Sequence, residues 1–138
     1  MKGKQIQTAV LISIVDDEES VREAIRSLLK SVGFRAEAFT RAEEFLDSEH
    51  LFDTACLILD VRMPGMGGLE LQKLLLASNF GLPIVFISAH CDSEAQARAL
   101  EAGAVAFLQK PFSEEALLNA INSSIVVNTE GFPDGLQN

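Results

Sequence analysis

Basic residues are scarce in this chain: eleven Lys and Arg stand against twenty Asp and Glu, for a formal charge of −9. A phosphate-backbone ligand needs the opposite balance, so direct nucleic-acid binding is not expected. Long apolar runs are missing as well. No stretch reaches the length of a membrane span, and the apolar segment behind Met1-Lys2-Gly3-Lys4 is too short for a secretory signal. The cytoplasm is the expected compartment, with no membrane partner. Cysteine is limited to Cys56, in an apolar run, and Cys91, in a predicted loop, and neither has a Cys or His neighbour at zinc-ligand spacing. Two reduced thiols without a role are expected. His50 lies in a polar connection with no catalytic pattern around it and reads as a surface histidine. Pro/Ser-rich and single-residue tracts are absent too, which disfavours disorder over nearly the whole length.

What is present is a chain of 138 residues, 48% of them hydrophobic, enough to bury one core in one domain. Val10 to Val15 is a continuous, β-branched apolar run, the pattern of a strand buried on both faces of a parallel sheet. Val21, Ala24, Ile25, Leu28, Leu29 and Val32 follow at helical spacing, and Gly33 stands where a left-handed cap is wanted. Phe34 to Phe39 alternates apolar and charged residues as an edge strand does, and Thr40 with Glu43 forms a capping box for a short helix carrying Phe45 and Leu46. Ala55 to Leu59 is the third strand. Val61 to Gly68 is a turn-rich loop with Pro64, Gly65 and Gly67, and a helix runs from about Leu69 to Ser78. Pro83 to Ile87 is the fourth strand, Ser93 with Gln96 caps an alanine-rich helix that Gly103 ends, and Val105 to Gln109 is the fifth. Ser113 caps a last helix with Glu114 and Glu115 in its first turn and Leu117, Leu118, Ile121 and Ile125 on its apolar face. From Val127 the pattern stops, which places a domain at 7–126 and a flexible tail or start of a linker at 127–138.

Alternating strands and helices with short connections imply a parallel sheet covered on both sides and joined by right-handed crossovers. The flavodoxin-like doubly wound α/β fold, with strand order 2-1-3-4-5, is expected. In such a sheet ligands bind outside the carboxyl ends of the strands. Asp16 and Asp17 close the first strand, Asp60 the third, Ser88 the fourth and Lys110 the fifth. Singly, each has an ordinary explanation as a helix cap, a turn residue or a solvated charge. Together they do not, because carboxylates a few ångströms apart repel by roughly 4 kcal/mol per close pair at an effective dielectric of 20. A cation must relieve them. Oxygen ligands without His or Cys indicate a hard ion, and few carboxylates with room for water and phosphate favour Mg²⁺ over Ca²⁺. Lys110 supplies positive charge from the other side, so the central carboxylate, Asp60, is the candidate nucleophile toward phosphorus.

Four strings carry a family resemblance: Ile14-Val15-Asp16-Asp17-Glu18, Leu59-Asp60-Val61-Arg62-Met63-Pro64-Gly65-Met66-Gly67-Gly68, Phe86-Ile87-Ser88-Ala89-His90, and Phe107-Leu108-Gln109-Lys110-Pro111-Phe112. From about Gln7 to Ser124 the chain resembles the response-regulator receiver domains of two-component systems. The resemblance implies that Asp60 is the phosphorylated aspartate, that Asp17 binds Mg²⁺ directly and Asp16 partly through water, and that the Arg62 backbone carbonyl is the remaining protein ligand. It further implies that Ser88 and Lys110 hold phosphoryl oxygens, that Phe107 is a switch aromatic, and that the Lys110-Pro111 bond is cis. Arg62 and His90, two residues past Asp60 and Ser88, most resemble receivers of the nitrogen-fixation regulator type and flank the line along which water attacks the phosphoryl group. The implied donor is a sensor histidine kinase or phosphotransferase, docking near Val21, Ala24 and Pro111. The fourth helix, fifth strand and fifth helix would signal to a second copy or an output partner. Such a domain catalyses its own phosphorylation and dephosphorylation and is not otherwise an enzyme.

Three other functions compete. An aspartate-nucleophile phosphatase on a similar fold needs Asp-x-Asp after the first strand, whereas Asp16 and Asp17 are adjacent. A flavin carrier needs a Gly/Ser/Thr-rich phosphate loop there, where Asp16-Asp17-Glu18-Glu19 would repel a phosphate. The weightiest rival is a phosphorylation-independent, protein-binding module on the same fold.

Overall fold

Three five-residue segments, Leu11–Val15, Cys56–Asp60 and Ile84–Ser88, are buried at every position. A strand with no exposed side chain must be covered on both faces. In the computed structural model, which describes residues 9–90 and 92–130 and the side chains through Ile125, they are the three central strands. The elements in chain order are β1 (Leu11–Val15), α1 (Glu19–Ser31), β2 (Arg35–Phe39), α2 (Ala42–Leu46), β3 (Cys56–Asp60), α3 (Gly68–Ala77), β4 (Ile84–Ser88), α4 (Ser93–Glu101), β5 (Ala106–Gln109) and α5 (Glu114–Glu130). All neighbouring strands pair in parallel, in the order β2-β1-β3-β4-β5. The flavodoxin-like expectation holds, with β2 and β5 as the half-exposed edges.

Alternate residues of the central strands serve two cores. Ile12, Ile14, Ile58 and Ile87 face α1 and α5, meeting Leu29 and Leu117. Val15, Leu57, Leu59 and Phe86 face the other helices, meeting Phe45 and Leu71. Each such side chain contributes about 1.5–3 kcal/mol by leaving water, so the alternation fixes the register: a slip of one residue would exchange the two faces.

Several boundaries differ from the sequence reading. β3 and β4 extend one residue further, to Asp60 and Ser88, because pairing continues through Asp60 with Ile87 and Ser88 with Gln109. Helix α2 begins after Arg41, one residue late for the expected box, so Thr40 pairs with Glu44 rather than Glu43: the Thr40 amide donates to Glu44 Oε1 at 2.7 Å. Glu43 is thereby free to accept from the Met66 amide at 3.1 Å. The cap of α4 is Asp92, not Ser93 with Gln96, and its Oδ1 accepts from the Ala95 amide at 3.1 Å. Ser113 does cap α5, accepting from the Ala116 amide at 3.0 Å, and Gly33 and Gly103 have positive φ of 97° and 104°. Helix α5 runs to Glu130, beyond the expected stop at Val127, since no Gly or Pro interrupts it before Gly131. His50 is half-buried, its Nε2 lying 3.9 Å from Glu37 Oε2, rather than a plain surface residue. Burial pushes the Cys56 thiol up to about 11, with Ser124 only partly offsetting it, so it stays a protonated core residue. Cys91, the domain start at Gln7 and the tail from Gly131 lie outside the described residues. No helix among the described residues is long and apolar enough to cross a membrane.

The first residue of α3 is tied to the end of β3. The Gly68 amide donates to the Val61 carbonyl at 2.9 Å, and a Cβ at Gly68 would collide with the Asp60 carbonyl oxygen and crowd Phe86 and Val61 at 3.1 Å each. Around Gly81 a Cβ would meet nothing within 4 Å. Gly68→Ala should therefore destabilise the fold by about 1–3 kcal/mol, the usual cost of overpacking, while Gly81→Ala stays near neutral. Urea unfolding of the two variants checks this, and equal midpoints would show that the turn yields.

Candidate functional site

The strand register delivers the site. Val15 lies opposite Leu59, Asp60 opposite Ile87 and Ser88 opposite Gln109, so Asp16, Asp60, Ser88 and Lys110 all arrive at the carboxyl end of the sheet. Two further backbone bonds continue the ladder: Asp16 N donates to Phe39 O at 3.1 Å and Lys110 N to Ser88 O at 2.7 Å. Asp16 is fully buried, Asp60 nearly so, and Asp17 exposed. Each offers an oxygen within 4.8 Å of the others'.

Asp16 Oδ1 accepts from the Glu18 amide at 2.8 Å. Asp16 Oδ2 is buried without an aligned hydrogen-bond donor, although Lys110 Nζ lies 2.9 Å away as an ion-pair contact. A buried, unaligned carboxylate oxygen beside two more carboxylates fits a hard divalent ion that would complete its coordination. The cluster holds Asp60 far from ordinary carboxylate behaviour. Burial, then the Asp16 charge, push it up; Lys110 opposes them, Asp17 adds to them and the Arg62 amide opposes, leaving Asp60 at about 7. Lys110 shows the converse balance: burial works against its charge, but Asp16 and Glu18, then Asp60, outweigh it and hold the ammonium above the usual lysine value.

Lys110 Nζ stands between three carboxylates, at 2.9 Å from Asp16 Oδ2, 3.0 Å from Glu18 Oε1 and 3.7 Å from Asp60 Oδ1. The Lys110-Pro111 bond is cis, as expected. Ser88 is buried at the same sheet end, its hydroxyl 3.1 Å from both the His90 carbonyl and the His90 amide. The half-buried Phe107 packs against Phe86 at 6.1 Å between ring centroids. The Arg62 guanidinium is drawn to the cap of α4, with Nη2 3.2 Å from Asp92 Oδ2, and His90 is exposed in the loop before that cap. Val21, Ala24 and Pro111 line one groove of about 470 Å³ with Glu18, Ala89 and Phe112. Sequence reasoning assigned no role to Glu18 or Asp92. Glu18 stands in the Asp16-Asp17-Glu18 string, whereas the reach of Asp92 to Arg62 depends on a loop that spacing does not encode.

Because Asp60 titrates near 7 in the fold but near 4 when unfolded, the native chain binds the extra proton between those values. This group's stability is present below about pH 4 and is lost as pH rises through 7. In a metal chelator, Asp60→Asn should gain stability relative to the parent as pH increases from 5 to 8. Melting curves across that range check it, and a constant difference would mean that Asp60 is ionised throughout.

The comparisons with known proteins agree with this geometry. Residues 12–122 match the model of the response regulator receiver domain. The response regulator protein TmoT of Ectopseudomonas mendocina is 45% identical over 83% of this chain and 52% of its own length. The transcriptional regulatory protein FixJ of Azorhizobium caulinodans is 37% identical over 83% and 54%. The solved structure of the response regulator StyR superposes with a TM-score of 0.81 at 50% identity, covering 88% of this chain and 61% of that one. The chain thus spans about half the length of the curated relatives it matches. The family match runs from β1 into α5 and takes in Asp16, Asp17, Asp60, Ser88 and Lys110, and the chain belongs to the response regulator receiver domains.

Proposed function

We propose that this receiver domain accepts a phosphoryl group from the phosphohistidine of a sensor histidine kinase or phosphotransferase onto Asp60. The observation that carries the reading is the buried Asp60 carboxylate, clustered with Asp16 and Asp17 and with the Lys110 ammonium, which lies against Asp16 and 3.7 Å from Asp60. Asp16, Asp17, Asp60 and the Arg62 carbonyl would hold Mg²⁺, which when bound supplies the positive charge that keeps Asp60 ionised and neutralises phosphoryl oxygens. The Asp60 oxygen attacks phosphorus, the phosphorus–nitrogen bond to the donor imidazole breaks, and Lys110 takes one phosphoryl oxygen. Ser88 exchanges its bonds to His90 for a second phosphoryl oxygen, and Phe107 turns inward as that loop moves.

The groove of Val21, Ala24 and Pro111 borders Lys110 and is the docking surface for the donor. The face of α4, β5 and α5 carries the change to a second copy or an output partner, in a cytoplasmic setting. The domain spans 7–126 in this reading, with α5 running on to Glu130. Arg62 and His90 set the lifetime of the phosphoryl group by shielding it from water or orienting that water.

Asp60→Asn should keep the fold and lose labelling by acetyl phosphate. Mg²⁺ at about tenfold above its dissociation constant should stabilise the parent by roughly 1.4 kcal/mol, and Asp17→Asn should weaken that affinity. Labelling that persists in Asp60→Asn refutes the nucleophile, and a parent that never labels revives the phosphorylation-independent binding module.

Replacing Arg62 and His90 together by alanine should change the dephosphorylation rate by at least about tenfold, roughly 1.4 kcal/mol in barrier, with Mg²⁺ affinity little altered. A half-life within about twofold of the parent, at fixed pH and Mg²⁺, would make both residues bystanders.

A further inference from the structure

Of the three carboxylates around Lys110, Glu18 alone receives a hydrogen bond with proper alignment, at 3.0 Å among the described residues. The shorter approach to Asp16 Oδ2 is off line, and Asp60 Oδ1 is 3.7 Å away, beyond hydrogen-bond reach. Glu18 stands at the cap position of α1 but makes no side-chain capping bond, so helix capping does not account for its carboxylate. Its side chain is 56% exposed at the mouth of the site, while that of Lys110 is 12% exposed. The ammonium is thus held between Glu18 and the buried Asp16 and makes no hydrogen bond to the acceptor carboxylate of Asp60.

We propose that Glu18 is a positioning residue that parks the Lys110 ammonium away from Asp60 until a phosphoryl group displaces it. The inference rests on the reading of Asp60 as phosphoacceptor. An incoming phosphoryl oxygen competes with the Glu18 carboxylate for the same N–H donors. When it wins, Lys110 swings inward and Glu18 is left as an unpaired anion at the rim of the groove that also holds Val21 and Pro111. The parked state reduces the apparent affinity for any phosphoryl mimic by the fraction of chains in which Lys110 is released. A half-exposed pair of this kind carries about 0.4–1 kcal/mol, which corresponds to a factor of about two to five.

The probe is beryllium trifluoride with Mg²⁺, a phosphoryl mimic that binds without covalent chemistry, measured by calorimetry on the full chain. Glu18→Gln and Glu18→Ala should bind it about two- to fivefold more tightly than the parent, with Mg²⁺ affinity unchanged and the melting temperature lowered by at most a few degrees, as the loss of such a pair requires. Glu19→Gln removes the same charge from the next residue and should leave the affinity at the parent value. Equal tightening in Glu19→Gln would reduce the effect to general charge repulsion and overturn the proposal. Unchanged or weaker binding in the Glu18 variants would overturn it too, weaker binding showing that Glu18 helps to aim Lys110. A parent chain that neither binds the mimic nor labels with acetyl phosphate would instead overturn the phosphoacceptor reading, a distinct failure.

Discussion

The structure is organised around carboxylates that repel one another. Asp16 and Asp60 are held side by side by the pairing of β1 with β3, and Asp17 sits at their rim, so the fold concentrates negative charge where two buried strands end. Burial in the two apolar layers makes that arrangement affordable. The same alternation that sends Ile14 and Ile58 to one core and Val15 and Leu59 to the other leaves the next residue of each strand at the sheet end. Lys110 enters from β5 as the counterweight, yet burial and the Asp16 charge together still raise Asp60 to about 7.

The surrounding loops are fixed by contacts that cross between elements. Glu43, on the short helix α2, accepts from the Met66 amide and so steadies the loop that follows Asp60. Gly68 brings the start of α3 against the Asp60 carbonyl. On the far side, Asp92 caps α4 with one oxygen and pairs with Arg62 through the other, joining the loop after β3 to that after β4. The Ser88 hydroxyl is engaged within that second loop by His90.

Much of this was legible in the sequence. Leu11–Val15, Cys56–Asp60 and Ile84–Ser88 announce themselves as strands because burial on both faces leaves no room for polar alternation, and their last residues carry the site. Caps were harder. Thr40 has a glutamate both three and four residues on, Glu43 and Glu44, and Asp92 and Ser93 are adjacent candidate caps, so a shift of one residue in the helix start decides between the partners. Local spacing does not determine that phase; packing of the helix does. The roles of Glu18 and of the Arg62–Asp92 pair were hidden for a related reason, since their partners lie 92 and 30 residues away and meet only when the sheet has assembled.

One ammonium serving three carboxylates also sets the order in which such a site can decay. Loss of Asp17 or Glu18, both exposed, relieves repulsion and leaves the buried pair of Asp16 and Lys110 intact, so a lineage no longer under selection for phosphorylation can discard either at little cost to folding. Loss of Lys110 strands the fully buried Asp16 without its ion-pair partner, and the fold then loses stability directly. Drifting descendants should accordingly shed acids before the lysine, so that a retained lysine beside missing aspartates marks a domain that once carried the chemistry and now keeps only the scaffold.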